Sequence, residues 1–184
     1  MNIRLSILLV TILVLFAGTY LVIQLNDSNA VKEKQPWLYK IDDKSIVGIE
    51  VTHKDNTVRY SKKKGSSEWY IENEDGHVPV AIAKWSGTTL VLSGPQVNRV
   101  LEGNIGPMSE YGLDPPQTIA KITERTGLIR EFHIGDQTPD GENQYATLSD
   151  DPQLFTVPQV WALVINKLAT NPPYKTEEVD PTKP

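Results

Sequence analysis

Cysteine is absent from this chain of 184 residues. Its absence excludes disulfide bonds, a thiolate nucleophile, thiolate metal ligands and a cysteine-linked lipid anchor. Proteins on either side of a membrane can lack cysteine, so the redox compartment stays open. Any chemistry in this protein would have to use other side chains.

The sequence also lacks the short motifs that are typical of nucleophilic hydrolases and nucleotide-binding proteins. It contains no Gly-x-Ser-x-Gly elbow, no Gly-x-Gly-x-x-Gly fingerprint and no Gly-x-x-x-x-Gly-Lys phosphate loop. Asp114 is the one carboxylate in a rigid setting, but an Asp before two prolines is more typical of a turn than of an acid or base. We therefore predict no catalytic residues, no enzymatic activity and no cofactor.

Histidine is scarce, and its spacing predicts no metal site. His53, His77 and His133 lie in separate predicted turns or strands, without a second ligand at zinc-site spacing. The acidic run 136–142 begins as an EF-hand loop does, but the position of the bidentate glutamate is occupied by Thr147. We predict that this run forms a local turn and that no metal is bound.

Acidic residues outnumber basic ones, which gives a net charge of −5 at pH 7. This balance disfavours non-specific binding to nucleic acid or to anionic lipid. The one basic cluster, Lys62-Lys63-Lys64, is predicted to be a solvated loop, with a role in binding an anionic ligand as the alternative.

One long apolar run stands at the N-terminus. Residues 5–23 carry no charge, and as a helix they would span roughly 28 Å, which matches a bilayer core. We predict a transmembrane anchor over residues 1–25. The alternatives are a signal peptide cleaved after Ser28-Asn29-Ala30, although signal cores are usually only about 7 to 15 residues long, and a buried soluble helix.

The charges that flank this run leave its orientation open. Arg4 favours a cytoplasmic N-terminus, whereas Lys32, Lys34 and Lys40 follow within the distance over which the positive-inside rule operates. A large C-terminal domain can cross a membrane largely regardless of its charge.

The remainder predicts an α+β fold, in which the transmembrane helix precedes a β-rich domain of two similar hairpin-strand-helix units. A polar linker at 26–36 leads into a domain at 37–174, and the polar, proline-rich residues 175–184 are predicted to be a disordered tail. The halves, about 46–104 and 117–170, each contain hairpin signals, a further strand, Val-Pro and a helix.

The predicted helices cover 80–92 and 159–168, with another helical turn over 96–101. In the second helix, Val160, Val164 and Leu168 form an i, i+4 row that we expect to be buried, with Trp161 beside it. Trp69 and Trp85 are likewise expected in the core.

A proline-rich connector joins the two halves and consists of Tyr111, Gly112, Leu113, Asp114, Pro115 and Pro116. The two prolines restrict the backbone, so neither a helix nor a strand ladder continues through it. Gly112 can adopt angles closed to other residues, which lets Tyr111 and Leu113 pack while the chain reverses. We predict a rigid, packed structural element.

This connector, the Ile-Gly-Asp loop at 134–136 and the strand at Tyr145 resemble the DUF4340 family over roughly residues 36–174. Members of that family are known mainly as membrane-anchored domains without an assigned activity, some beside ABC-type export or gliding-motility components. The resemblance implies a fold and a place in the inner membrane, with the C-terminal domain outside the cytoplasm. It implies no reaction.

Aromatic residues at the start of the domain are the candidate interface. Trp37 and Tyr39 follow the linker, where amphipathic rings can contact a membrane surface or a neighbouring subunit. We predict a single-pass, membrane-anchored, non-enzymatic accessory or scaffold subunit that docks on a larger membrane protein complex. The alternative is an extracytoplasmic domain that binds a small ligand, a glycan or an ion.

Overall fold

The computed structural model describes residues 13, 16–20, 37–74 and 76–175. The chain divides into two compact units, Met1–Gln35 and Pro36–Pro184. In the first unit, Leu13 and residues 16–20 are helical, and Leu13, Phe16 and Tyr20 are exposed. The rest of the predicted anchor, the linker at 26–36 and residues 176–184 lie outside the described residues. Within the described part of the chain, no helix is long and apolar enough to cross a membrane.

The second unit is built on one antiparallel sheet, which confirms the β-rich domain. The strand order is β4-β3-β2-β1-β6-β7-β8-β9-β5. The strands are β1 (Ile46–His53), β2 (Asn56–Lys62), β3 (Trp69–Asn73), β4 (Gly76–Pro79), β5 (Arg99–Leu101), β6 (Thr118–Glu124), β7 (Ile129–Gln137), β8 (Asn143–Leu148) and β9 (Asp151–Pro158).

The two halves of the domain meet at the centre of this sheet. β1 pairs with β6, with Val51 opposite Ala120. From this central pair β1–β4 run outward as a meander on one side and β6–β9 on the other, and β5 pairs with β9 at the edge. In sequence, each meander is followed by helix.

Three α-helices accompany the sheet: α1 (Ile82–Trp85), α2 (Thr88–Leu92) and α3 (Gln159–Thr170). The predicted continuous helix over 80–92 is therefore wrong. Gly87 adopts a left-handed conformation with φ of 82° and separates α1 from α2. The helical turn predicted over 96–101 is also wrong, because Gln96 forms a β-bridge with Trp37 and β5 follows.

The main core lies between the sheet and these helices. It includes the inward-facing Ile49, Val51 and Phe132 of the strands. Trp69, Trp85 and Trp161 are buried in it, as predicted. Two buried tyrosines bond to these helices. The hydroxyl of Tyr60 in β2 donates to the Leu168 carbonyl (2.5 Å), and the hydroxyl of Tyr39, which precedes β1, donates to the Leu92 carbonyl (3.0 Å).

Helix α3 buries only part of the predicted row, since Leu168 is buried but Val160 is exposed and Val164 is only half-buried. Val160 is 74% exposed, whereas Trp161, Ile165 and Leu168 are buried. The Trp161 ring packs 5.1 Å from that of Phe132, and its Nε1 donates to the Val91 carbonyl (2.9 Å). These tertiary contacts fix the rotation of the helix, because both rows are apolar in sequence.

Candidate functional site

The connector is a packed turn on the sheet face opposite the helices. A 3-10 helix, Met108–Tyr111, ends at Gly112, whose φ is 66°. Leu113 is buried outside the main core cluster and forms a β-bridge with Pro116. Asp114 is exposed and precedes Pro115 through a cis peptide bond.

The two motifs that carry the family resemblance contact each other through glycines. A Cβ on Gly112 would lie 2.6 Å from Cγ of Asp136, and a Cβ on Gly135 would lie 2.1 Å from the Tyr111 carbonyl oxygen. Real Cβ atoms do not approach other atoms so closely, so both positions require glycine. The contact occurs where β7 departs from regular pairing with β8, between Ile134 and Gln137.

Side chains hold this contact on both sides. The Gln117 amide nitrogen donates to the Asp136 carboxylate. The Tyr111 ring meets the ring of Tyr145 on β8 edge-on at 4.9 Å. These contacts give Tyr111, Gly112 and Leu113 structural roles.

Three polar side chains are linked by hydrogen bonds from the sheet to α3. His53 Nδ1 lies 2.7 Å from the Thr118 hydroxyl, which donates to the Asn166 side-chain oxygen at 2.7 Å. Since that hydroxyl proton is used by Asn166, Nδ1 of His53 carries the proton in the first bond. Burial, and secondarily the charge of Lys54, lower the pKa of His53.

We expect this histidine to make the free energy of unfolding depend on pH. The folded-state pKa lies below the unfolded-state value, so unfolding takes up protons and stability falls as pH drops from about 6.5 through the folded pKa. We expect the melting temperature of wild type to fall more between pH 7.5 and 5.5 than that of His53→Gln, which cannot gain charge. Parallel melting curves for the two proteins would show that His53 has no such effect.

The other two histidines lie apart from His53. His133 Nε2 is 2.9 Å from Glu131, within an ion-pair network on the outer sheet face in which Lys121 bridges Glu131 (3.4 Å) and Glu50 (3.9 Å). His77 lies 4.0 Å from a carboxylate of its own hairpin. Among the described residues, no three His, Cys, Asp or Glu side chains are grouped as a metal site.

Hydrogen bonds within the acidic run 136–142 hold residues 137–142 in a turn. The Asp140 carboxylate accepts from the Thr138 hydroxyl (2.5 Å) and from the Glu142 backbone N–H (3.0 Å), and these bonds lower the pKa of Asp140. The Gln137 amide donates to the Gly141 carbonyl (2.6 Å). This is the arrangement of a local turn.

The two residues of the predicted interface have different environments. Trp37 is 37% exposed, and the Lys40 ammonium lies 5.2 Å from its ring centroid. Tyr39 is only 5% exposed and stacks on Phe132, with the ring centroids 5.3 Å apart. The prediction that Tyr39 forms part of an interface is therefore wrong. Its ring fills the core beneath α2, and its hydroxyl is already bonded there.

Sequence reasoning missed an apolar surface on the helix layer formed by α1, α2 and α3. Four aliphatic side chains of this layer are exposed: Ile82 (83%), Leu90 (65%), Val160 (74%) and Leu163 (43%). The same layer carries a groove of about 320 Å³, whose lining includes Lys84, Thr88, Val164 and Lys167.

The charge pattern of the sequence contains a signal for this layer. Residues 76–101 and 152–176 contain no Asp or Glu, although the whole chain is acidic. These two stretches include all three helices. Their side-chain charges come from lysine and arginine, with His77 in addition, so the helix layer differs from the rest of the acidic domain.

The structure thus defines a single antiparallel sheet with helices on one face and a packed connector on the other. Residues 91–171 match the family model for DUF4340, a domain of unknown function. The resemblance is therefore confirmed over this range, which runs from α2 through the connector to α3. No curated protein and no solved structure matches the chain.

Proposed function

We propose that this protein is a membrane-anchored, non-enzymatic accessory subunit that docks through its helix layer on a protein of a larger membrane complex. The apolar run 5–23 provides the anchor, and the C-terminal domain lies outside the cytoplasm. Confinement to the membrane raises the local concentration, so a modest interface is sufficient to hold a partner.

The exposed aliphatic residues of the helix layer carry this proposal. Single exposed aliphatic residues are ordinary, but several on one layer are typical of an interaction surface. Each Å² of apolar surface removed from water contributes about 25 cal/mol. Ile82, Leu90, Val160 and Leu163 would gain this contribution only in a complex.

The charge of the layer indicates the kind of partner surface. Lys84 and Lys167 line the groove, and the helices carry no acidic residue. A partner that presents apolar side chains with Asp or Glu around them would satisfy both features. Complementary charges of this type favour the correct partner and speed association.

Site-specific cross-linking tests the surface, because the chain has no cysteine of its own. We expect Leu90→Cys and Leu163→Cys, carrying a photo-crosslinker in native membranes, to form an adduct with the same membrane-complex protein. Leu128→Cys is the control, since Leu128 is also exposed (51%) but lies in the β6–β7 turn. The same protein should co-purify in mild detergent.

Charge reversal at the groove provides the second arm of this test. Lys84→Glu with Lys167→Glu should remove the adduct without lowering the melting temperature. Adducts from Leu128→Cys alone, or recovery of the protein as a free monomer while other membrane complexes stay intact, would contradict docking through the helix layer.

The side of the membrane is tested by labelling. A cysteine at Ser67, which is exposed in the loop after β2, should react with an impermeant maleimide before the inner membrane is opened. Reaction only after opening would place the domain in the cytoplasm. A mature N-terminus at Val31 would replace the anchor with a signal peptide.

We also infer that the two halves arose from one duplicated unit. The repeated order of an antiparallel four-stranded meander followed by helix supports this interpretation. Aligned relatives in which β1–β4 and β6–β9 share no equivalent positions would argue against it.

A further inference from the structure

A basic cavity lies at the end of the sheet formed by β2, β3 and β4. It measures about 380 Å³ and is lined by Ser61, Lys62, Lys63, Tyr70 and His77. Three of its five lining residues are basic types and none is acidic, in a chain whose net charge is −5. It is separate from the groove of the helix layer.

Strand pairing and loop bonds hold the lining residues together. Ser61 lies opposite Tyr70 across the β2–β3 pair. In the loop after β2, the Lys63 N–H donates to the Glu68 carbonyl (3.1 Å), and the Ser66 N–H donates to the Lys63 carbonyl (3.0 Å). The backbone that carries Lys63 is therefore fixed beside the tyrosine ring.

The nearby carboxylates already have partners. The Tyr70 hydroxyl donates to Glu68 at 2.9 Å, and this bond raises the pKa of Tyr70. Glu72 lies opposite His77 across the β3–β4 pair, 4.0 Å from its Nε2. The ammonium groups of Lys62 and Lys63 appear in no ion pair among the described residues.

We propose that this cavity binds the anionic group and ring of an acidic saccharide. The lysine ammonium groups would pair with a carboxylate or phosphate on the sugar. The Tyr70 ring and the aliphatic stems of the lysines offer an apolar surface for the ring face. This function is independent of docking through the helix layer, which lies on other elements.

Titration of the full-length protein in nanodiscs of neutral lipid tests this site. The probes are a hexuronic-acid tetrasaccharide, its carboxyl-reduced neutral counterpart, glucose 6-phosphate and inorganic phosphate, with binding followed by calorimetry. Comparing the uronate with the sugar phosphate shows whether the cavity binds a carboxylate or a phosphate on the sugar. We expect at least one of them to bind, and the neutral saccharide and inorganic phosphate to bind more weakly.

Matched variants locate the binding. Lys62→Gln and Lys63→Gln should each weaken binding about tenfold, the size expected when one hydrogen bond to a charged group is lost. Tyr70→Leu should weaken saccharide binding more than it weakens the binding of inorganic phosphate, because it removes the ring and also leaves the Glu68 carboxylate without its partner. Lys84→Gln and Lys167→Gln remove the same charge from the helix layer and should have no effect.

Three results would overturn the proposal. The first is that no anionic saccharide binds. The second is that the lysine variants of the cavity and of the helix layer weaken binding equally, which indicates non-specific attraction. The third is that inorganic phosphate binds as well as the saccharides and Tyr70→Leu changes nothing. Melting temperatures of all variants distinguish loss of binding from loss of fold.

Discussion

Replacing Gly135 with alanine is expected to destabilise the domain by about 3 kcal/mol or more. The added Cβ would lie 2.1 Å from the Tyr111 carbonyl oxygen and 2.9 Å from Cγ of Leu113. Neither atom can yield easily, since one belongs to the backbone and the other to a buried side chain. A loss of this size lowers the melting temperature of a domain of this length by roughly 10 °C, which circular dichroism of the full-length protein would measure.

Variants of the connector provide the matched controls. Gly112→Val should also destabilise, because φ is 66° and its Cβ would meet Asp136. Asp114→Asn keeps the size of an exposed side chain, so its free energy of unfolding should stay within about 0.5 kcal/mol of the wild-type value. A folded Asp114→Asn variant that no longer recovers the partner would instead assign the connector to a binding or active site.

The connector shows which structural features could be predicted from the sequence and which could not. Its prolines and Gly112 predict a rigid turn because they act on the local backbone. Nothing local indicates that Gly135, which lies in β7 beyond the intervening strand β6, must lie against Tyr111. That contact depends on how the connector crosses β7, so it emerges only when the strands are assembled.

The same distinction separates the strands that were predicted from those that were missed. Strands β1, β2, β6 and β7 have alternating patterns and clear turns between them, which are local signals. By contrast, β4 and β5 are short strands of four and three residues. Pro79 ends β4, and a proline there indicates a helix start as readily as a strand end.

Tyr39 and the helix layer show why surfaces are harder to predict than strands. An aromatic residue with a polar tip suits an interface and a core equally well, and only the position of Phe132 decides for the core. The exposed Leu90 looks like a core residue in sequence. The acid-free stretches are the one sequence signal that distinguishes this surface. They are far apart in the sequence and become adjacent only after folding, so the signal is not evident before the fold is known.

The described domain therefore offers two chemically different surfaces. The helix layer is aliphatic, with lysines lining a groove, whereas the outer sheet face carries ion pairs and the connector, and the basic cavity lies at the end of the sheet formed by β2, β3 and β4. Binding at one surface does not occupy the other. A protein partner and an anionic saccharide can thus be tested independently, with variants of one surface serving as controls for the other.

Replacing Trp161 with alanine is expected to cost about 3 to 5 kcal/mol, the range for truncating a large aromatic residue in a core. The ring is 7% exposed and packs against Phe132, and its Nε1 bonds to the Val91 carbonyl. Truncation would leave a cavity and remove the hydrogen bond that joins α3 to α2. Chemical denaturation of the full-length protein would measure the change in unfolding free energy.

Val160→Ala is the matched control, because Val160 precedes Trp161 in α3 and is 74% exposed. It should change the free energy of unfolding by no more than about 0.5 kcal/mol. It should lower the recovery of the partner, because it removes part of the docking surface. If Val160→Ala destabilised the domain as much as Trp161→Ala, α3 would bury the row predicted from sequence. The helix layer would then lose Val160 from its exposed aliphatic surface, and the docking proposal would rest on Ile82, Leu90 and Leu163.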